Sequence, residues 1–329
     1  MNYLNLKTTD PAFNLAVEEY VFDYLPRDRM YVMLWQNDNA IIIGKNQNTL
    51  AEINESYVKE KGIRVVRRLS GGGAVYHDMG NLNFTVIADA QGENLDFGRF
   101  CALVVKALRK VGVHAEINGR NDMTIDGKKF SGNAQYLRQG RVMHHGTILF
   151  DSNASVLANA LQVDEAKIQA KGVKSVRSRV TNVRDHLPVD MALPQFRQIL
   201  LDTILEETPG EEYILSEKDL EVVEKLKAER YDTWAWNYGH SPACTLRKKG
   251  RVEGCGTVEA FLMLREGKIT QITFRGDFFG VSDPEQLAQL LVGCRPDRAS
   301  LEEKLRETDV SRYFMGMTVT QLIGILADS

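Results

Sequence analysis

Apolar side chains recur at helical spacing after Asp10 and Pro11, where Phe13, Ala16, Val17, Tyr20, Val21 and Tyr24 share one face. The aspartate suits an N-cap and the proline a first helical turn. Short apolar runs at 30–35 and 40–43 flank a polar turn at 36–39 and read as strands. A further strand, carrying Ile63, Val65 and Val66, leads into three consecutive glycines. Leu82, Phe84 and Val86 then alternate with Asn83 and Thr85, the period-two pattern of a half-buried strand. Residues 97–111 return to a helical pattern. The pair Asp126 and Gly127 sits between Met-Thr-Ile and Lys-Lys-Phe and predicts a hairpin over 122–131, and 142–150 reads as another strand. Strands joined by short turns, with helices between groups of them, predict an α+β fold whose mostly antiparallel central sheet is flanked by helices.

The second half predicts helices over 195–207 and 216–230, followed by the aromatic stretch 234–239. The pattern then restarts as a small α+β unit. Strands at 257–264 and 268–274 flank Glu266 and Gly267, Asp283 and Pro284 open a helix that runs to Leu291, and residues 319–327 form a closing helix. A boundary near 240–250 divides the chain into residues 1–245 and a smaller unit, 246–329.

Length and composition agree with two folded units. The chain has 329 residues, 43% hydrophobic and 26% charged, enough for a sizeable core and ordinary in polarity. A net charge of −3 excludes a general affinity for nucleic acid but leaves room for a local basic patch. Cys101, Cys244, Cys255 and Cys294 are scattered without a paired spacing, which argues against a zinc site and a disulfide framework. The start of the chain carries no apolar signal core, and no apolar run reaches membrane-spanning length. The expectation is a cytoplasmic protein with neither a membrane nor a nucleic-acid partner.

The chemistry concentrates at residues 67–78, Arg-Arg-Leu-Ser-Gly-Gly-Gly-Ala-Val-Tyr-His-Asp. Glycines reach positive φ without cost, and successive free N–H groups make a concavity suited to anions. Arg67 and Arg68 add guanidiniums that suit phosphate or carboxylate. The spacing is neither that of a P-loop nor that of a dinucleotide-binding turn, so a phosphate-neutralising lysine has to come from elsewhere in the chain. Lys128 and Lys129 follow the hairpin turn. Neighbours on a strand face opposite ways, so one of them faces inward, where an anion must meet it. A second basic segment runs from Lys167 to Arg184 through Lys171, Lys174, Arg177 and Arg179, with no acidic residue between.

Taken in order, these segments resemble the lipoate–protein ligases over essentially the whole chain. The resemblance is carried by residues 67–78, by Gly119-Arg120-Asn121-Asp122, by Lys129-Phe130-Ser131-Gly132-Asn133-Ala134, by His144-His145-Gly146-Thr147 and by residues 171–182. It implies the biotin/lipoyl protein ligase-like fold with a C-terminal accessory domain that reorients after adenylation. It also implies a two-step reaction in which lipoate and ATP give lipoyl-AMP and pyrophosphate, and the lipoyl group then passes to a carrier lysine. Carried over residue by residue, Lys129 is the catalytic lysine, touching the lipoyl carbonyl and the α-phosphate. The ATP and adenylate positions are Arg68, Gly71, Gly72, Gly73, Ala74, Val75, Tyr76, Asp122, Lys129, Lys171, Ser178, Arg179 and Val180. The lipoate positions are Trp35, Ser70, Gly72, His77, Asn83, Lys129 and His145, with Ile43, Val75 and Phe84 as further apolar walls. Asp122 suits Mg²⁺, though a bond to adenine or to a backbone turn would suit it equally, and His77 fits either the lipoyl pocket or a bonded core. Adjacent His144 and His145 face opposite ways and do not make a metal pair. The expected partners are lipoate, or octanoate in its place, ATP with Mg²⁺, and an acidic lipoyl domain of a 2-oxoacid dehydrogenase E2 subunit or the glycine cleavage H protein, with the enzyme acting as a monomer.

Three rivals differ in what they require. A cysteine-dependent acyltransferase of the same fold needs an activated thiolate, whereas Cys101 sits in the apolar pattern of 97–111. Biotin–protein ligase carries a different glycine-arginine loop. A binding module without catalysis would have no use for Lys129.

Overall fold

The computed structural model describes residues 1–90, 95–119, 121–161, 179–239, 246–265 and 267–328. Its strands are β1 (Asn2–Asn5), β2 (Tyr31–Trp35), β3 (Ala40–Ile43), β4 (Arg64–Arg67), β5 (Val75–His77), β6 (Asn81–Asp89) and β7 (Glu116–Asn118). They continue as β8 (Asp122–Ile125), β9 (Lys128–Arg138), β10 (Arg141–Leu149), β11 (Glu211–Glu212), β12 (Leu246–Val252), β13 (Gly256–Arg265) and β14 (Lys268–Gly276).

Among the described residues these strands form three sheets. The largest runs in the order β11-β1-β2-β6-β10-β9-β8-β7. Its body is antiparallel, as short turns require, while β1 lies parallel to both β2 and β11. The sheet is therefore mixed at one edge. The two asparagines of β1 hide it from any period-two reading. A small sheet of β4-β3-β5 stands beside the large one.

One face of the large sheet packs Phe84, Val86 and Ile148 against Phe100 and Val104 of the helix Gly98–Lys110 and Phe196 of the helix Leu193–Glu207. The other face packs Met33, Trp35 and Met143 against the helix Pro11–Asp23. That helix starts as its sequence predicts, with the Asp10 carboxylate accepting from the Ala12 N–H at 2.9 Å. It differs from the expected amphipathic helix in being buried almost all round, because the sheet covers one side and Val223 of the helix Glu217–Leu226 the other. Asn14, Glu18 and Glu19 are buried with it. β6 departs from its pattern in the same way: Asn81, Asn83 and Thr85 on its polar side are as buried as Leu82, Phe84 and Val86. On this side Asn83 lines a cavity, while Asn81 and Thr85 are buried in hydrogen bonds to Asn83 and to Glu18 and Trp35.

The C-terminal part folds β12, β13 and β14 into an antiparallel sheet under the helices Pro284–Leu291 and Arg298–Leu305, with Val258, Phe274, Leu287, Leu301 and Phe314 in its own core. The closing helix is α-helical over Val319–Ile323 and widens to π turns over Gly324–Asp328. This part meets the rest through backbone bonds from the Gly72 N–H to the Phe278 oxygen (3.1 Å) and from the Gly276 N–H to the Asn46 oxygen (3.0 Å). Among the described residues no helix is long and apolar enough to cross a membrane.

Candidate active site

The alternation along four neighbouring strands builds the floor of a cavity. Trp35 on β2 lies opposite Asn83 on β6, and Asn83 lies opposite Thr147 on β10. The Thr147 hydroxyl accepts from the Gly132 N–H of β9 at 3.1 Å. All four residues line one cavity, with Leu15 above them from the first helix and Ile42 and Val75 from the small sheet. The expected walls Ile43 and Phe84 are not among its lining. The strand period turns Ile43 to the far side of the small sheet, and Phe84 to the helix-covered face of the large one.

Of the hairpin lysines, Lys128 is exposed and Lys129 lines the cavity. A register shift between Met123 and Thr124 sets Lys129 opposite Thr124. Its Nζ lies 2.8 Å from the Asp122 carboxylate, with both side chains more than a third exposed. The Lys129 backbone pairs with the end of the second basic segment: its N–H donates to the Arg179 oxygen at 2.8 Å, and a parallel bridge joins it to Val180. Lys171, Ser178 and Arg120 lie outside the described residues.

The two arginines before the glycines do different things from one another. Arg68 lines the cavity but directs four of its five N–H groups inward, to Ser70 Oγ (3.0 Å), the Ile42 oxygen (3.1 Å) and the oxygens of Gly71 (2.7 Å) and Gly73 (2.8 Å). It holds the loop in shape. Burial lowers its pKa to about 10, which still leaves it charged at neutral pH. Arg67 points the other way and corrects the expectation of a paired anion clamp. Its guanidinium is fully buried and bonded to the carbonyls of Gly44, Lys45, Gln47, Trp236 and Asn237 and to the Thr49 hydroxyl.

Of the three glycines only Gly72 has positive φ, at 88°. A Cβ on Gly71 would meet the Phe278 oxygen at 2.5 Å, and one on Gly72 the Phe279 ring at 2.7 Å. The close neighbour that these two glycines admit is thus the C-terminal part of the chain, whose Phe279 also lines the cavity. Gly73, Ala74 and Val75 line it as well. The Tyr76 side chain turns away, its hydroxyl donating to Asn39 Oδ1 at 3.1 Å.

Ser70, expected among the lipoate positions, is not part of the cavity's lining and is buried in a continuous chain of hydrogen bonds. Arg68 Nε donates to Ser70 Oγ, which lies 2.6 Å from His145 Nε2, and His145 Nδ1 lies 3.0 Å from the Glu18 carboxylate. Glu18 also accepts from the Thr85 hydroxyl at 2.5 Å, which in turn accepts from the Trp35 indole at 2.9 Å. Glu18 was not visible as a site residue in the sequence. Its signal is the pair Glu18 and Glu19 inside an otherwise apolar stretch, since buried carboxylates require partners.

His144 faces the opposite side of β10, among the rings of Phe84, Phe97 and Phe100, with Gln135 Nε2 at 3.0 Å from its Nδ1. His77 is bonded to Asn37. Burial lowers both histidines from 6.5 to about 3, so both rings are neutral in the folded state at neutral pH. The unfolded chain therefore binds more protons between those limits. Stability is fully present above pH 6.5 and falls as the pH drops towards 3, by up to about 1.4 kcal/mol per pH unit for each ring. Urea midpoints at pH 7.5, 6 and 5 should decline accordingly, and His144→Gln should flatten the decline; an unchanged slope in that variant would remove His144 as its source. Cys101, 4.0 Å from His144, is fully buried, and burial raises its thiol to about 12. It has neither the access nor the acidity that an acyl-carrying thiolate needs.

The chain matches the model of the lipoyl protein ligase A/B catalytic domain over residues 10–205 and that of the bacterial lipoate protein ligase C-terminus over 241–326. It is 44% identical over 324 residues to lipoate–protein ligase 1 of Staphylococcus aureus and 43% identical over 326 residues to lipoate-protein ligase LplJ of Bacillus subtilis, with 98% of each chain covered in both cases. Among solved structures, Plasmodium falciparum LipL1 in complex with lipoate shares the fold over 94% of both chains, with a TM-score of 0.76 and 24% identity. The bipartite ligase of Thermoplasma acidophilum, described with its E2 lipoyl domain, matches 74% of this chain and 98% of its own, with a TM-score of 0.66 and 30% identity. A lipoate-protein ligase A bound with ATP matches 72% of this chain and 98% of its own, with a TM-score of 0.63 and 28% identity. With both parts of the chain matched and two relatives above 40% identity along nearly its full length, this chain belongs to the lipoate–protein ligase family.

Proposed function

We propose that this chain activates lipoate with ATP and transfers the lipoyl group to a lysine of a carrier domain. The observation that carries the reading is the polarity of the cavity: apolar at Leu15, Trp35 and Ile42, cationic at Lys129. A substrate that is apolar along its length and ends in a carboxylate matches it. The relatives' names and the ATP-bound and lipoate-bound structures of similar proteins support the same substrates.

In the first step a carboxylate oxygen of lipoate attacks the α-phosphorus. The bond to the bridging oxygen breaks, and pyrophosphate leaves with the electron pair. Negative charge on the phosphoryl oxygens is met by the Lys129 ammonium, which exchanges its Asp122 partner for the substrate. In the second step the carrier amine attacks the acyl carbonyl and AMP leaves, with the same ammonium beside the developing oxyanion. Arg68, through the carbonyls of Gly71 and Gly73, keeps the loop shaped for the phosphates. Lys171, Ser178, Arg179 and Val180 cover the adenylate. Asp122, a partly exposed carboxylate beside Lys129, would offer an oxygen ligand to Mg²⁺. When bound, it would neutralise charge on the leaving pyrophosphate.

Residues 1–245 act as the catalytic domain and 246–329 as the accessory domain. The carrier is an apo lipoyl domain of an E2 subunit or the glycine cleavage H protein, a class supported by the E2 lipoyl domain of the archaeal system. Octanoate serves as an alternative acyl donor. The enzyme works in the cytoplasm as a monomer, without nucleic acid or membrane.

The test is exchange of labelled pyrophosphate into ATP in the presence of Mg²⁺, with lipoate, octanoate or biotin as the acid. Lipoate is expected to drive exchange and biotin to leave it at background. Folded protein that gives no exchange with lipoate would overturn the reading.

A further inference from the structure

A second cavity lies between the helix Leu193–Glu207 and the edge of the large sheet, on the face opposite the one that carries Trp35. Strand alternation builds one wall. Tyr3 and Asn5 of β1 share that face with Val32 and Leu34 of β2, Tyr3 opposite Val32 and Asn5 opposite Leu34. Helical spacing builds the other, since Pro194, Arg197, Gln198 and Leu201 stand at i, i+3, i+4 and i+7 and form one stripe. The space between them is about 180 Å³, a volume that suits a molecule of about six carbons.

Arg197 brings the charge. Its Nη2 donates to Asn5 Oδ1 (2.6 Å), the Leu34 oxygen (2.5 Å) and the Leu6 oxygen (3.2 Å), which pins the helix to the sheet edge. Nε and Nη1 carry the remaining N–H groups, and these have no protein partner among the described residues. Nor does a described carboxylate pair with the guanidinium: Asp202, one turn along the helix, accepts instead from Gln198 Nε2 at 2.8 Å. Burial holds the Arg197 pKa below the usual guanidinium value, and the group is still charged at neutral pH. Val32 and Leu34, both buried, and Leu201 give the cavity its apolar side. A half-buried cation with spare donors beside such a wall is costly until an anion meets it.

We propose that this cavity is a second ligand site, which takes a small organic acid. The carboxylate meets the spare donors of Arg197, and the short alkyl part lies against Val32, Leu34 and Leu201. Charge-assisted bonds to a guanidinium supply the recognition, and the volume limits the length of the chain. The site is separate from the cavity of Lys129, and its occupancy does not depend on the ligase reading. The two are back to back on β2: Arg197 holds the Leu34 carbonyl, and the next residue, Trp35, lines the first cavity.

The experiment titrates the full chain with butanoate, its neutral isostere butanamide and inorganic phosphate, followed by methyl NMR. Leu34 and Leu201 report on this cavity and Leu15 on the other. Butanoate is expected to shift the Leu34 and Leu201 signals to saturation in the millimolar range. Butanamide, which has the shape without the charge, should bind weaker by about tenfold or more. Phosphate, which has the charge without the alkyl part, should also bind more weakly than butanoate. Arg197→Gln keeps a donor for the Leu34 oxygen and should lose butanoate affinity by a similar factor, while Lys129→Met should leave it unchanged. Should Arg197→Gln fail to fold, the comparison of butanoate with butanamide on wild-type protein decides. Equal binding of those two, shifts confined to Leu15, or no shift with butanoate at tens of millimolar would overturn the proposal. So would a folded Arg197→Gln with wild-type affinity, and phosphate that binds as tightly as butanoate would overturn the choice of an organic acid.

Discussion

Lys129→Met is expected to lower lipoate-dependent pyrophosphate exchange by a factor of about 10²–10³ or more, with little change in thermal stability. The side chain lies at the rim of the cavity, more than a third exposed, and its ion pair with Asp122 is shared with solvent. Such pairs contribute little to folding, so the loss should be chemical. The ammonium's value arises when charge develops on the phosphoryl and acyl oxygens, and that is a difference between transition state and ground state. Lipoate binding should therefore weaken far less than exchange, because the apolar contacts at Leu15, Trp35 and Ile42 remain. Transfer from supplied lipoyl-AMP to a carrier should fall alongside the first step, since the same ammonium faces both. Lys129→Arg should rescue poorly: Nζ sits 2.9 Å from where a Cβ on Gly132 would be, too close for a planar guanidinium without displacement. Exchange by Lys129→Met at the wild-type rate would remove the lysine from the chemistry.

Much of this arrangement was legible in local pattern. The turn at Asp126 and Gly127 and the alternation after it are short-range signals, and they are enough to turn one hairpin lysine inward. The opposite orientations of His144 and His145 follow from strand geometry alone, and the structure places them on opposite faces of β10. What failed to show is what depends on which surfaces meet. The strand pattern alone sets Asn83 and Thr85 on a polar face, and only the resemblance gives Asn83 a role; in the structure Asn83 lines the cavity and the Thr85 hydroxyl is buried against Glu18 and Trp35. Glu18 lies within an apolar helix whose second covered side comes from residues some 200 positions later in the chain. The glycine run is equally ambiguous from sequence, since a glycine that admits a ligand and one that admits another segment of backbone look alike. At Gly71 and Gly72 the visitor is Phe278 and Phe279. No local rule reaches across that distance.

Arg67 makes the same point with the larger consequence for stability. Arg67→Leu is expected to cost about 4 kcal/mol or more of unfolding free energy, read as a lower urea midpoint. The guanidinium bonds to Gly44, Lys45 and Gln47 on one side and to Trp236 and Asn237 on the other, at 2.7–3.3 Å. These carbonyls belong to the loop after β3 and to the short helix Trp234–Asn237, so one side chain ties segments nearly 200 residues apart. Leucine would fill the volume but leave several buried carbonyls unpaired, and the cost lies there rather than in the lost charge. Burial lowers the Arg67 pKa to about 10, so the group remains protonated at neutral pH and its donors stay available. Arg67→Lys should recover only a minority of the loss, because three donors on one atom cannot reach both sets of carbonyls. The neighbouring variant Arg68→Lys provides the contrast. Arg68 braces the loop carbonyls of Gly71 and Gly73, so its loss should reduce exchange activity more than the Arg67 variants do at temperatures where all are folded. A wild-type urea midpoint in Arg67→Leu would show that the carbonyls find other partners, and that the first arginine of the pair is dispensable to the fold.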